Sequence, residues 1–222
     1  TPDRFVLMAL LAAEEALKQS KTPISARSRM GAIVGTCSGP ALSLEKFYAD
    51  RKPQSVKANR MCFEQMAYAS AARALAYCFG LSGFIGTVTT ACSASTTAIG
   101  AGLDLLRSGL LDFVLAGGTD AYSLSMQIGF DGLKATCDGM CAPFSKPIGM
   151  CLGEGAAFLM LERLESARLR GVEIMAEIIG FSTSNDAHHC SAPDPSGQGQ
   201  ALALMRALRH AGLQPNAVGY IN

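Results

Sequence analysis

One cysteine, Cys92, lies where its sulfur can act as a nucleophile. It belongs to the segment Phe84–Leu106, FIGTVTTACSASTTAIGAGLDLL, in which β-branched residues give way to small residues and then to a helical pattern. This order predicts that Cys92 lies between the end of a buried strand and the start of a helix. The free amides and the positive dipole end of a helix favour a thiolate and can bind an oxyanion. The same position suits a small residue in a packed corner, so the local pattern leaves both interpretations open.

Metal and nucleotide sites are not predicted from the remaining motifs. Cys137 and Cys141 are separated by three residues in a long loop, and His188, His189 and Cys190 follow much later. Because this spacing lacks the compact pairs of a structural zinc site, we expect no zinc. The segment GTCSG follows a predicted strand, but the chain has neither GxGxxG nor GxxxxGK followed by Ser or Thr. We therefore expect no nucleotide cofactor.

The composition is that of a core-rich globular protein. The chain has 222 residues, of which 49% are hydrophobic and 17% charged, and its formal net charge is +1. Lys and Arg are scattered rather than grouped in a basic stripe, so nucleic acid is not an expected partner. No apolar run is long enough to predict a membrane span. The eight cysteines are irregularly spaced, which favours free thiols in a reducing cytoplasm over the disulfides of a secreted protein.

Helix and strand patterns alternate along the chain. Helices are predicted over Asp3–Gln19, Leu42–Asp50, Gln65–Phe79, Cys92–Ser108, Glu162–Arg170 and Gln200–Ala211. Strands are predicted within Met30–Gly39, which ends in a glycine turn, and over Phe84–Thr90, Asp112–Ala121, Gly155–Leu161, Glu173–Phe181 and Val218–Ile221. Strands that are hydrophobic throughout are typical of parallel sheets. The predicted fold is therefore α/β, with a largely parallel sheet covered by helices on both faces.

The segment around Cys92 resembles the active-site segment of the elongating β-ketoacyl-acyl carrier protein synthases. In TVTTACSASTTAIGAGLDLLRSGLLDFVLAGGTDA, a Thr-Ala-Cys sequence and small residues precede a strand that ends in Gly-Gly. Three further segments resemble the family in the same order: MGAIVGTCSG, LGEGAAFLMLERLESARLRGVEIMAEIIGF and NDAHHCSAPDPSGQGQALALMRALRHAGLQPNAVGYIN. Isolated motifs do not reproduce such an order over nearly the whole chain. The resemblance therefore implies that Cys92 is the catalytic nucleophile.

The resemblance also implies a fold and a division of the chain. It implies a thiolase-like αβαβα layered fold, with residues 1–171 as the N-terminal half that carries the nucleophile and residues 172–222 as the start of the C-terminal half. The first strand of the family would precede Thr1. The family's catalytic histidines and lysine would follow Asn222, where the first histidine motif is expected to begin. We therefore expect the chain to be part of a longer protein.

The activity implied by the resemblance is a decarboxylative condensation. An acyl chain passes from the phosphopantetheine of acyl carrier protein to Cys92, and malonyl-acyl carrier protein then loses carbon dioxide and attacks the thioester. This implies an acyltransferase, a 3-oxoacyl-acyl carrier protein synthase of fatty acid or polyketide synthesis, with acyl carrier protein and acyl and malonyl thioesters as partners and no bound cofactor or metal. Family members pair the strand before the cysteine across a two-fold axis, so we expect a homodimer formed through Ile85–Thr90.

Three further residues receive roles from the resemblance. Phe130, in IGFDG, corresponds to a family position beside the acyl channel. His189 and Ser191 lie in a loop that borders the substrate cleft in the family, and they would line the pantetheine entrance. An ordinary core phenylalanine and an ordinary loop are the alternatives. His210, near the end of a predicted helix where a cation is favourable, is interpreted as a surface cap.

One loop departs from the family pattern. In APFSKPIGMCLGEG, Ala142 stands where the family has arginine, Ser145 where it has aspartate, and Ile148–Met150 where it has Asp-Gly-Phe. The loss of these charges, in a loop expected near the interior, favours a divergent branch such as polyketide or polyene synthesis. Two alternatives stay open: a coenzyme A-dependent thiolase or initiating synthase, and a non-catalytic chain-length-factor-like partner subunit. Chain-length factors lack the cysteine, so Cys92 argues against the second alternative.

Overall fold

The sheet of the protein is mixed, with three parallel strands and one antiparallel strand. The computed structural model describes residues 2–49, 66–189 and 192–222. Its strands are β1 (Met30–Gly35), β2 (Ile85–Val88), β3 (Phe113–Asp120) and β4 (Gly155–Glu162). In the order β2-β1-β3-β4, β1 is parallel to β2 and β3, whereas β4 is antiparallel to β3. The prediction of an α/β fold with a largely parallel sheet is confirmed.

Most of the described helices overlap predicted ones, but the helix over Leu124–Gly132 was not predicted. The helices are α1 (Arg4–Ser20), α2 (Ala41–Ala49), α3 (Ser70–Phe79), α4 (Ala94–Arg107), α5 (Leu124–Gly132), α6 (Leu164–Arg170) and α7 (Gln198–Ala211). The predicted helix over Gln65–Phe79 begins only at Ser70, and Gln65 lies outside the described residues, as does Asp50. Within the part of the chain that the structure describes, no helix has the length and apolar character needed to cross a membrane.

A buried aspartate fixes the start of α1. The Asp3 carboxylate accepts a hydrogen bond from the Phe5 amide (3.2 Å), as expected of a helix N-cap. It also accepts bonds from the amide and the hydroxyl of Ser43 in α2, at 2.9 and 2.7 Å. The same side chain therefore caps one helix and joins it to the next.

The sheet separates two hydrophobic cores. Successive side chains of a strand point to opposite faces, and in β3 Phe113 and Leu115 pack on one face while Val114 and Ala116 pack on the other. The first core also contains Phe5, Val6 and Ala9 from α1, Met30 and Val34 from β1, and Leu75 from α3. The second contains Ile33 from β1 and Ala98 and Leu106 from α4. Burial on both faces explains why β1 and residues 113–118 of β3 carry no polar side chains.

The chain divides into two compact units, Thr1–Val172 and Glu173–Asn222. The second unit contains α7 and irregular backbone, so the predicted strands over Glu173–Phe181 and Val218–Ile221 are wrong. A strand requires a ladder of backbone hydrogen bonds to a neighbour, and the described residues provide these two segments with none. Hydrophobic patterning alone does not supply that partner.

Candidate active site

Cys92 lies at the carboxyl end of β2, in a short 3₁₀ turn (Ala91–Ser93) that leads into α4. The prediction that the α-helix begins at Cys92 is wrong by two residues, because the turn tightens first. Ala91 has a φ of +53°, in the left-handed region that non-glycine residues rarely adopt. Such conformations persist where the surrounding structure enforces them, often at functional sites. The Cys92 side chain is exposed.

Hydroxyl groups on both sides of Cys92 hold this turn. Ser93 Oγ lies 2.9 Å from the Thr90 carbonyl oxygen, to which it donates, and 3.0 Å from Thr90 Oγ1. Thr90 Oγ1 in turn donates to Thr97 Oγ1 in α4, at 3.3 Å. These contacts join Thr90, the residue before the turn, to Ser93 in the turn and to Thr97 in the first turn of α4. Cys92 therefore lies between two residues, Thr90 and Ser93, that hydrogen bonds hold in place.

Two glycines allow α4 to begin directly against the sheet. A Cβ on Gly35, the last residue of β1, would overlap the backbone of Ala94 and Ser95. A Cβ on Gly118 in β3 would overlap the Ser95 side chain and lie 2.7 Å from the Gly35 carbonyl oxygen. Any larger residue at either position would push the first turn of α4 away. The glycines therefore set the distance between the sheet and the turn that carries Cys92.

Asp120, at the end of β3, holds the turn that follows β1. Its carboxylate accepts hydrogen bonds from Thr36 Oγ1 (2.7 Å), the Cys37 amide (3.0 Å), and the amide and hydroxyl of Ser38 (2.8 and 2.7 Å). The Thr36 amide also donates to the carbonyl of Val88, the last residue of β2 (3.0 Å). The turns that follow the three parallel strands are therefore connected at one sheet edge. Sequence reasoning missed Asp120, although an acidic residue at the end of a buried strand is a usable signal.

A second thiol, Cys37, lies in the turn that follows β1, at the carboxyl edge of the sheet. Partial burial raises the pKa of the Cys37 thiol, and the negative charges of Asp120 and of an ionised Cys92 raise it further. Cys37 therefore stays protonated under conditions where an exposed thiol begins to ionise.

Phe130 lies in α5, which follows the carboxyl end of β3. Its side chain is half-buried. The helix is capped by Ser123, whose hydroxyl accepts a bond from the Met126 amide (3.4 Å). Glu45 of α2 accepts a bond from the Ser125 amide (2.6 Å), and hydrogen bonding from Ser125 lowers the pKa of Glu45. Phe130 and Cys92 are therefore carried by segments that leave the same edge of the sheet.

The predicted residues of the second unit are only partly described. His189 is exposed, and Ser191 lies outside the described residues. Asp186 orders the adjacent loop by accepting bonds from the amides of Asp194 (2.9 Å) and His188 (3.2 Å), which lower its pKa. His210, in the last turn of α7, has its Nδ1 atom 2.9 Å from the Phe181 carbonyl oxygen. This contact gives His210 a structural role within the unit.

The loop that departs from the family pattern is largely exposed rather than interior. Phe144 and Ile148 project into solvent, and Ala142 is half-buried. The expectation of an interior position is therefore wrong for these side chains. Across residues 2–49, 66–189 and 192–222, no three His, Cys, Asp or Glu side chains are grouped so that they could hold a metal ion.

Comparison with protein families identifies both parts of the chain. Residues 1–167 match "Beta-ketoacyl synthase, N-terminal domain", and residues 175–222 match "Beta-ketoacyl synthase, C-terminal domain". The chain belongs to the β-ketoacyl synthase family. The resemblance to β-ketoacyl synthases seen around Cys92 in the sequence is thus confirmed.

The relatives and solved structures agree on the family. The chain is 36% identical to 3-oxoacyl-[acyl-carrier-protein] synthase 2 of Staphylococcus aureus, covering 99% of this chain and 57% of the relative. It superimposes with a TM-score of 0.91 and 28% identity on a chain from the complex of a type II PKS acyl-carrier protein with its ketosynthase bound to the hexaketide, covering 99% of this chain and 58% of the other. It matches the ishigamide ketosynthase/chain length factor with a TM-score of 0.89 and 31% identity, covering 98% and 55%.

These matches confirm the thiolase-like fold. They also show that the chain spans a little more than half the length of the proteins it matches.

Proposed function

We propose that this chain is the nucleophile-bearing part of a β-ketoacyl synthase, and that Cys92 carries the acyl group. The observation that supports this most directly is the placement of Cys92. It is exposed, lies at the carboxyl edge of the sheet, and comes immediately before a helix that the other two parallel strands hold in place. A small residue that merely filled a corner would be buried there.

The chemistry needs a thiolate and donors for an oxyanion, and the turn suits both. Ser123 caps α5, whereas no side chain among the described residues caps the first turn of α4. Amides at this uncapped helix start can therefore face a substrate oxygen. The Cys92 thiolate attacks the acyl carbonyl carbon and forms a thioester, and the phosphopantetheine thiol leaves with a proton.

The second half of the reaction forms the new carbon–carbon bond. Malonyl-acyl carrier protein loses carbon dioxide, and the carbanion that results attacks the Cys92 thioester. The Cys92 thiolate leaves, so the sulfur returns to its starting state. We propose that the histidines and lysine that assist decarboxylation belong to residues after Asn222.

Further parts of the proposal rest on the resemblance of this chain to other β-ketoacyl synthases. We propose that residues 1–171 and 172–222 belong to the N- and C-terminal halves of the fold, that Phe130 lines the acyl channel, and that His189 and Ser191 lie at the pantetheine entrance. Acyl carrier protein is the proposed partner, supported by the solved ketosynthase complex with an acyl-carrier protein. A reducing cytoplasm, as predicted from the cysteine pattern, is the proposed location.

We propose that β2 forms the dimer contact. Among the described strands, β2 pairs with β1 only, so its outer edge is open. An apolar cleft of about 460 Å³ runs beside that edge and is lined by residues of β2 and α4. Thr87 Oγ1, in β2, is buried and has no hydrogen-bond partner among the described residues. A strand from a second subunit would pair with this edge and cover the cleft.

The nucleophile is tested by acylation. The protein is incubated with acyl-acyl carrier protein, and the adduct is mapped by mass spectrometry in the wild type, Cys92→Ala and the control Cys78→Ala, which alters another exposed thiol. We expect one acyl group on Cys92 in the wild type and in the control, and none in Cys92→Ala. Condensation should fall by about 10³-fold or more in Cys92→Ala. An adduct that persists in Cys92→Ala would refute the assignment.

A heterodimer is the second candidate. The match to a ketosynthase/chain length factor and the changed loop at Ala142–Met150 both favour it. Purifying the full-length protein alone and measuring condensation separates the two cases. Turnover by the protein alone supports the homodimer, whereas turnover only after addition of a related second subunit supports the heterodimer. In parallel, acyl-coenzyme A is used as the donor, which tests the initiating-synthase alternative.

A further inference from the structure

The loop between α5 and β4 brings two distant cysteines together. Its two arms run side by side: the Cys137 amide donates to the Met150 carbonyl (3.2 Å), and the Met150 amide donates to the Ala135 carbonyl (3.0 Å). Gly149 makes this approach possible. It has a φ of +136°, and a Cβ there would lie 2.6 Å from the Cys137 nitrogen and 2.8 Å from the Cys137 Cβ. The backbone therefore fixes Cys137 next to Cys151.

The two sulfur atoms are in contact. Cys137 Sγ lies 3.7 Å from Cys151 Sγ, and both sulfurs lie within hydrogen-bond distance of the Gly139 carbonyl oxygen, at 3.5 and 3.1 Å. A third cysteine, Cys141, contributes its backbone amide, which donates to Cys151 Sγ (3.2 Å). Cys151 is exposed and Cys137 is partly exposed. Reagents in solution therefore have access to the pair.

The surroundings of the two thiols differ. The hydrogen bond from the Cys141 amide, followed by one from the Cys137 thiol, lowers the pKa of Cys151. Loss of solvation, followed by its hydrogen bond to Cys151, raises the pKa of Cys137. Cys151 therefore ionises first, and the protonated Cys137 thiol remains beside it. This is the arrangement of an attacking thiol and a resolving thiol.

We propose that Cys137 and Cys151 form a reversible intramolecular disulfide by exchange with a small-molecule disulfide such as oxidised glutathione. The Cys151 thiolate attacks one sulfur of glutathione disulfide, and one glutathione thiolate leaves. Cys137 then loses its proton and attacks the Cys151 sulfur of the mixed disulfide, which releases the second glutathione. Two protein thiols are oxidised by two electrons, and one glutathione disulfide is reduced to two thiols.

The geometry favours this pair over others in the loop. A disulfide bond is about 2.05 Å long, so the two sulfurs, which lie 3.7 Å apart, must move closer by about 1.6 Å. Cys141 reaches Cys151 Sγ through its amide, which supports a role in stabilising the thiolate rather than in forming the bond. The disulfide would close the loop at its base, three residues before Glu154. Glu154 joins this region to Arg4 (2.8 Å) and to the Tyr122 amide (3.1 Å).

The test is equilibration of the protein in glutathione buffers of increasing oxidised fraction, followed by acid quenching and peptide mapping. Trypsin leaves all three loop cysteines in one peptide, because Lys146 precedes Pro147. Cleavage before Asp138 and after Phe144 separates the three cysteines into different peptides, so the linked pair is identified directly. The variants are Cys137→Ser, Cys151→Ser and the matched control Cys141→Ser. Cys92→Ala is included so that oxidation of Cys92 does not interfere.

We expect a linkage between Cys137 and Cys151 in the wild type, in Cys92→Ala and in Cys141→Ser, and its removal by dithiothreitol. Cys137→Ser should stop at a glutathione adduct on Cys151, because the resolving thiol is gone, and Cys151→Ser should form no linkage. Three results would overturn the proposal: only glutathione adducts in the wild type, a linkage that uses Cys141, or no oxidation of the loop in the most oxidising buffer. These readouts do not depend on condensation activity, so they are independent of the proposed function.

Discussion

An aspartate lies at each end of β3, and the two ends are built in different ways. At the amino end, Asp112 accepts bonds from Arg29 Nε (2.7 Å) and from Arg163 Nη2 (3.3 Å), and all three side chains are partly exposed. At the carboxyl end, Asp120 accepts bonds from the hydroxyl and amide groups of the turn after β1. The parallel neighbour, β1, pairs with β3 from Phe113 to Gly118, so each aspartate lies near one end of this ladder. The same ladder is therefore fixed by ion pairs at one end and by uncharged donors at the other.

The difference bears on the proposal that Cys92, at the carboxyl end, is the nucleophile. Exposed ion pairs are weak and tolerate changes in geometry. Backbone amides and the hydroxyls of short side chains are donors with little conformational freedom. The glycines at this end also allow α4 to approach the sheet closely. A turn that must hold a nucleophile within a fraction of an ångström needs the second kind of support. The carboxyl end should therefore be the more sensitive of the two to mutation.

The largest effect is expected at Gly35. Gly35→Ala places a methyl group into the backbone of Ala94 and Ser95, so the first turn of α4 must move. We expect the rate of Cys92 acylation to fall by about 100-fold, since small displacements of a reacting group carry costs of this size.

Gly129→Ala is the matched control for Gly35→Ala. Gly129 lies in α5, and a Cβ there meets no atom within 4 Å. Acylation should be unchanged in this variant. Thermal unfolding followed by circular dichroism shows whether Gly35→Ala remains folded. An acylation rate near that of the wild type in folded Gly35→Ala would show that the glycine does not position the nucleophile.

Asp120 should give the next largest effect. Asp120→Ala leaves the donors of Thr36, Cys37 and Ser38 without their acceptor, which we expect to cost about 1–3 kcal/mol of stability. Acylation of Cys92 should slow as well, because the turns at this edge are connected. Asp120→Asn keeps one acceptor oxygen and should recover part of both losses. Urea unfolding and acylation rates are the measurements. A loss of stability with no change in acylation would make Asp120 purely structural.

The smallest effect is expected at Asp112. The hydrogen bond from Arg29 lowers the pKa of Asp112, so the pair stabilises the folded state at pH values above the unfolded pKa. This stabilisation is lost as the pH falls through the lowered pKa of the folded state. Asp112→Asn should shift the urea midpoint less than Asp120→Ala near neutral pH, and the shift should vanish in acid. A difference in urea midpoint between Asp112→Asn and the wild type that persists or grows in acid would contradict this pH dependence. Cys92 acylation should not change.

Most elements of the first unit were predictable because their signals are local, although α5 was not predicted. β1 and the first six residues of β3 are buried on both faces and contain no polar side chain, and α1 has its capping aspartate immediately before it. The second unit was less predictable. Glu173–Phe181 has a strand-like pattern but no ladder among the described residues, because strand formation depends on a partner that the segment does not contain.

The candidate site was predictable only in part. The position of Cys92 followed from the change of pattern from strand to helix and from the order of family-like segments. Asp120 was missed because its donors at Thr36 and Cys37 are 84 and 83 residues away. The contact between Cys137 and Cys151 was missed because a backbone bridge, not sequence spacing, creates it.

The sequence by itself determined the α/β fold class, the strand-to-helix junction that carries Cys92 and the likeness to β-ketoacyl synthases, since each depends on local pattern or on order along the chain. Only the tertiary structure decided what surrounds Cys92. The close approach of α4 to Gly35 and the hydrogen bonds of Asp120 exist because parallel strands bring their carboxyl ends to one edge of the sheet. Contacts of this kind depend on the register and spacing of strands, which no single stretch of the sequence specifies.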